Sequence, residues 1–211
     1  MRRSAMARLL ASIGASGFEN LTLTGSGGPA QLNSVRVTAS FFPTLGVMPA
    51  QGRNSTTEED LPNGPLVCVI SYELWQTRFG GQPLIGKGIT LNGQSWQMVG
   101  IMPPNLTAPF GQVQVSVPRL FEMGGLLNQV RAGVGMAQTI ARLRPGVTVH
   151  QARDGLAPSV APPATVSRDV STRTTPAIRV SSSKRNSGTS SRHSTHCSAR
   201  WASCYSSLAQ M

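Results

Sequence analysis

The sequence predicts an α+β domain on a mixed or antiparallel sheet, with a hairpin and one or two short helices, followed by a disordered tail. Three observations predict it. Asn92-Gly93 stands between the strand-like runs Ile89-Thr90-Leu91 and Trp96-Gln97-Met98-Val99. Asn-Gly accepts positive φ at both central positions of a type I′ turn, so the pair marks a hairpin. Ser71 stands as N-cap before Tyr72 to Phe79, where Leu74, Trp75 and Phe79 share a helical face, and Gly80-Gly81 stops the helix. From Gly155 to Met211 there are 20 Ser/Thr in 57 residues, a composition that cannot bury enough apolar surface to offset chain entropy.

The remaining elements follow in chain order. Ser34 to Ser40 alternates Val35, Val37 and Ala39 with polar residues, as a half-buried strand does. Phe41-Phe42-Pro43 and Leu45-Gly46 form a short turn or helix. Leu66 to Ile70 is a continuous apolar run bounded by Pro65 and Ser71, the pattern of a strand covered on both faces. Val113 to Val117 alternates again, and Met136 to Leu143 reads as one more strand. Pro145-Gly146 makes a turn, after which Thr148 and Gln151 form a capping box that opens a helix. Beyond Leu156 the apolar periodicity ends.

Charge divides the 211 residues unevenly. Residues 1–150 carry 11 Lys/Arg against 6 Asp/Glu, a net of +5, and residues 151–211 carry 8 against 2, a net of +6. More than half of the net +11 therefore belongs to the tail. A basic tail admits nucleic-acid binding as the alternative function. No run of about 18 apolar residues is present to span a bilayer. Arg2, Arg3 and Arg8 before Leu9-Leu10-Ala11-Ser12-Ile13 imitate a signal peptide, but the apolar core is short and Arg8 interrupts it.

No constellation for chemistry emerges, and the expectation is a non-enzyme with no catalytic, cofactor-binding or metal residues and no cofactor. Gly81 to Gly88 has P-loop spacing around Lys87, yet Gly88 replaces the magnesium-holding Ser/Thr and the helix precedes rather than follows. His193, His196, Cys197 and Cys204 lack structural-zinc spacing. His150 has no acid or nucleophile evident beside it. Glu58-Glu59-Asp60 reads as a solvated turn or helix N-terminal charges. Cys68 lies in an apolar run and reads as a small buried hydrophobe. Trp75, Phe79 and Trp96 read as core. Asn20, Asn54 and Asn105 fit the glycosylation sequon, which matters only in a secreted eukaryotic chain. No small-molecule site is visible.

Several phrases taken in order carry a resemblance. They are Val37-Thr38-Ala39-Ser40-Phe41-Phe42-Pro43-Thr44-Leu45-Gly46-Val47, Gly52-Arg53, Glu58-Glu59-Asp60, and Val69 to Gly81 (VISYELWQTRFGG). Leu91-Asn92-Gly93-Gln94, Val99-Gly100-Ile101-Met102-Pro103-Pro104 and Ala141 to Thr148 (ARLRPGVT) complete them. Together they resemble the MacB-like periplasmic core domain of FtsX-type ABC-transporter permeases. The resemblance implies residues 18–154 as a partial core domain, after an N-terminal segment 1–17 and before a low-complexity basic tail 155–211. It implies a periplasmic location at the bacterial inner membrane, a separate ATPase subunit or domain, and extracytoplasmic protein partners. It further implies a non-catalytic role in contact and mechanotransmission. The flanking transmembrane helices of the family are not in this sequence, so a truncated fragment is expected. The Ser/Arg/Pro/Thr tail with stray Cys and Trp matches an out-of-frame reading of a GC-rich gene, so a frameshift near codon 154 is expected.

Overall fold

A computed structural model describes residues 7–25, 27–106, 111–122, 137–156, 164–172 and 175–182. The chain divides into two compact units, residues 14–123 and residues 1–13 with 124–211.

In the first unit β1 (Leu10–Thr24, from Gly14 on) pairs antiparallel with β2 (Ala30–Val37), from Ser16↔Val37 to Leu23↔Ala30. β2 pairs parallel with β7 (Val115–Val117), and β7 antiparallel with β4 (Val67–Ile70). β4 runs parallel to β6 (Gln94–Ile101) with an irregularity between Cys68 and Val69. β6 pairs antiparallel with β5 (Gly88–Leu91), and β5 returns to β1 at Leu23↔Leu91. Six strands thus pair in a closed ring. β3 (Gln51–Gly52) adds to the far end of β6 at Gln51↔Ile101.

The local chemistry of these elements is readable. Asn92 and Gly93 have φ of 49° and 77°, as the two-residue type I′ turn requires. α2 (Tyr72–Phe79) starts at Ser71, whose Oγ accepts the Leu74 N–H at 3.1 Å, and stops at Gly80 in the left-handed region with φ 58°. α1 (Phe41–Leu45) stops likewise at Gly46. The core gathers Leu21, Leu23, Cys68, Ile70, Trp75, Leu91, Trp96, Met98 and Ile101, with Phe79 packed against it.

The predicted strands shift in ways their partners explain. β2 begins at Ala30 rather than Ser34 because Ala30–Asn33 pair with β1, a strand that low alternation hides in the sequence. All five residues Ser34–Thr38 are buried, so Arg36 is not on a solvent face as alternation suggests. Gly14 belongs inside β1 because a Cβ there would press on the Phe41 backbone. β7 is shorter than Val113–Val117, although Gln114 still bonds to the same neighbours: its N–H donates to Asn33 O at 2.8 Å and its carbonyl accepts the Ser71 N–H at 2.9 Å.

In the second unit β8 (Ala137–Leu143) pairs antiparallel with β10 (Thr175–Ser182), which pairs antiparallel with β9 (Ala164–Thr172). β9 and β10 lie in residues that the sequence places in its tail; their Thr/Val-rich runs suit a pleated strand even without helical periodicity. α3 (Val149–Leu156) opens with the expected capping box: the Gln151 N–H donates to Thr148 Oγ1 at 3.2 Å and Gln151 Oε1 accepts the Thr148 N–H at 2.9 Å. Its buried Ala152 and Leu156 pack with Ala141, Leu143, Leu10 and Ile13. Leu10 and Ile13, read in sequence as part of a weak signal-like run, are thus the start of β1 and part of an apolar cluster.

Candidate functional site

The most organised polar cluster in the first unit grows from the acidic run Glu58-Glu59-Asp60. Glu58 is exposed, as a solvated turn requires, but Glu59 is buried and Asp60 half-buried. Glu59 takes two hydrogen bonds from the Arg53 guanidinium, at 2.7 and 2.8 Å, and a third from the Thr56 N–H at 2.8 Å. That hydrogen-bonded guanidinium holds the Glu59 carboxyl below its ordinary range. Asp60 bridges two other segments: Oδ2 accepts the Ala39 N–H at 3.0 Å and Oδ1 the Arg119 N–H at 2.8 Å. Burial nonetheless pushes the Asp60 carboxyl up, outweighing those bonds. The solvated-turn expectation therefore fails for Glu59, which nearby Arg53 and Thr56 engage, and for Asp60, which the distant Ala39 and Arg119 engage.

Arg119 is the centre of this cluster. Its backbone is left-handed, with φ 64°, and its guanidinium pairs with Glu122 at 3.1 Å while lying 5.8 Å from the centroid of the Trp96 ring. The Arg119 carbonyl accepts from Arg36 Nη1 at 3.2 Å, and Arg36 Nε donates to Glu19 at 2.6 Å across β1 and β2. Glu122 also accepts the Asn63 N–H at 2.9 Å. The arrangement fastens residues 53–64 and 118–122 to the end of β2. Arg53 pairs with Glu59, Arg119 with Glu122 and Arg36 with Glu19, which suits holding these segments together.

The other sequence candidates separate. In the Gly81–Gly88 loop the Gly86 N–H donates to Met98 O at 2.8 Å and the Lys87 N–H to Leu84 O at 2.9 Å. Those donors face the protein, not a phosphate, and β5 follows. His150 does have an acid beside it: Nδ1 lies 2.9 Å from Asp154 Oδ2, one helical turn on, and both are exposed. Cys68 is free and buried, its thiol pushed up to about 12 by burial. Trp75 is buried, donating Nε1–H to Gln82 O at 2.8 Å. His193, His196, Cys197 and Cys204 lie outside the described residues. Among the described residues no group of three or more His, Cys, Asp and Glu could hold a metal.

Val35, Phe41, Phe42, Ile70, Met102 and Leu106 with Ser71 and Ser116 enclose a cavity of about 20 Å³. That holds about one water and no substrate-sized molecule. The large apolar side chains exposed on the surface include Met48, at 68%, and Ile85, at 43%. Ile85 lies against Gly52, where φ is 74° and a Cβ would meet the Val99 carbonyl and Ile85 Cδ1. Sequence reasoning singled out neither.

Solved structures resemble this chain, two of them as follows. One is the periplasmic region of MacB from Actinobacillus actinomycetemcomitans, with TM-score 0.54 and 16% identity over 74% of this chain and 69% of that chain. The other is the extracellular domain of the noncanonic ABC-type transporter YknZ from Gram-positive bacteria, with TM-score 0.51 and 14% identity over 73% and 75%. At these identities the likeness establishes the fold alone. No curated protein matches the chain. The MacB-like periplasmic core domain family matches residues 4–158, and the chain belongs to that family. The family comprises periplasmic domains of ABC-transporter permeases, which work with an ATPase subunit, and is not an enzyme class. No described helix of this chain is long and apolar enough to cross a membrane.

Proposed function

We propose that this chain is a non-catalytic contact and mechanotransmission domain of an ABC-transporter permease, followed by a low-complexity basic tail. The family match over residues 4–158 carries the reading. The charges around Arg119 support it, since Asp60, Arg36 and Glu122 tie segments distant in sequence to one another. Its partners on this reading are a separate ATPase subunit and extracytoplasmic proteins, and its place is the periplasmic face of the inner membrane. Residues 18–154 form the partial core domain, residues 1–17 its N-terminal segment, and residues 155–211 the tail.

Sequencing the genomic neighbourhood of the gene tests the proposal. An ABC-transporter ATPase gene beside it is the expected result, and a neighbourhood without one overturns it. Nucleic-acid binding is the second reading, resting on the net +6 of residues 151–211. It requires DNA affinity that falls steeply with salt and disappears from a chain ending at residue 158.

A further inference from the structure

We propose that Asn92 is a site of spontaneous covalent modification in the folded chain, losing its side-chain amide through a succinimide formed with Gly93. The Gly93 backbone nitrogen gives its proton to solvent base and bonds to Asn92 Cγ. The Cγ–Nδ2 bond breaks and ammonia leaves. Water then opens the ring at either carbonyl, leaving aspartate or isoaspartate.

The geometry favours this tip of the β5–β6 hairpin on three counts. Asn92 and Gly93 are both exposed, and nothing lies within 4 Å of where a Gly93 Cβ would stand, so base and water have access. Among the described residues nothing accepts the Gly93 N–H, so the attacking nitrogen breaks no hydrogen bond. Asn92 Oδ1 accepts the Thr22 N–H at 2.8 Å, a fixed donor placed where negative charge develops as Gly93 attacks.

The chain contains an internal comparison at Asn63-Gly64, the same dipeptide in a different setting. There the Gly64 N–H donates to Leu61 O at 3.0 Å, and a Cβ at Gly64 would press on the Glu58, Glu59 and Leu61 carbonyls. The nitrogen is engaged and the approach crowded. The two sites therefore differ in structure and not in local sequence chemistry.

Isoaspartate at position 92 would route the main chain through the former side chain. A two-residue turn has no room for the added atom, and the Thr22 tether to β1 would be lost.

The test ages the purified full chain in mildly alkaline buffer, native and in urea, followed by peptide mass spectrometry and enzymatic isoaspartate detection. Asn92→Asp serves as the standard for the direct product. In the native arm Asn92 is expected to convert several-fold faster than Asn63, with isoaspartate the main product, and in urea the two should convert alike. Retention of the Asn92 amide in the native arm, or conversion of Asn63 at an equal or greater rate there, overturns the proposal. Aspartate as the sole product also overturns it, since that would mean direct hydrolysis.

Discussion

Asp60 joins three segments through one carboxylate. Asp60→Ala leaves the Ala39 and Arg119 N–H groups without their acceptor and should cost ~1–3 kcal/mol, read as a lower denaturant midpoint at unchanged slope. The two buried acids should also respond to pH with opposite sign. The Glu59 carboxyl is lowered by Arg53, so its stabilisation is present above the ordinary carboxylate value and is lost as pH falls through the lowered one. Asp60 is raised by burial, so the fold holds its proton more tightly than the unfolded chain, and stability falls as pH rises through the raised value. Hence the stability of the wild type relative to Glu59→Gln should grow with rising pH, and relative to Asp60→Asn it should shrink. Parallel slopes in urea titrations across acid to neutral pH would refute this assignment. Cys68, buried with its thiol near 12, should resist a thiol-labelling reagent until the chain unfolds. Burial of Cys68 was legible from its apolar neighbours. The enclosure of Asp60 and Arg36 was not, because Asp60 meets Arg119 across 59 residues and Arg36 meets it across 83.

Among the elements, those governed by adjacent residues were the most legible. The Asn92-Gly93 hairpin, α2 with Ser71 and Gly80, and the Thr148–Gln151 box each declare themselves within a few residues. Ser71→Ala should remove the Leu74 N–H acceptor and cost ~1 kcal/mol, measured by thermal or urea unfolding. Replacement by Thr should restore most of it. β1 shows the opposite case. Gly14, Ser16 and Gly17 lack the alternation of a strand, and they become one only because β2 supplies a partner along Ser16 to Leu23. The exposure of Ile85 was equally hidden, since it lies against Gly52 from a separate loop.

For the whole molecule, the phrases quoted from Val37 to Thr148 were enough to indicate the family, and the matched range reaches from residue 4 to 158. No single phrase is a catalytic signature, so the resemblance rested on order and spacing rather than on a site. A chain ending at residue 158 should keep the unfolding transition of the full chain, because the two apolar clusters found among the described residues lie before that point. Loss of cooperativity in that shorter chain would instead assign β9 and β10 a structural role.

The ring of paired strands has a consequence for how the chain is made. β2 needs β7, and Asn33 meets Gln114 across 81 residues, so a ribosome or export channel must release the chain past Val117 before the ring can close. Until then the β7-facing edge of β2 remains without its native neighbour, open to pairing with any other extended chain. Closure is therefore a late and non-local event, slower than hairpin or helix formation. The interval of greatest vulnerability to misassembly falls during synthesis and delivery, before the finished domain exists.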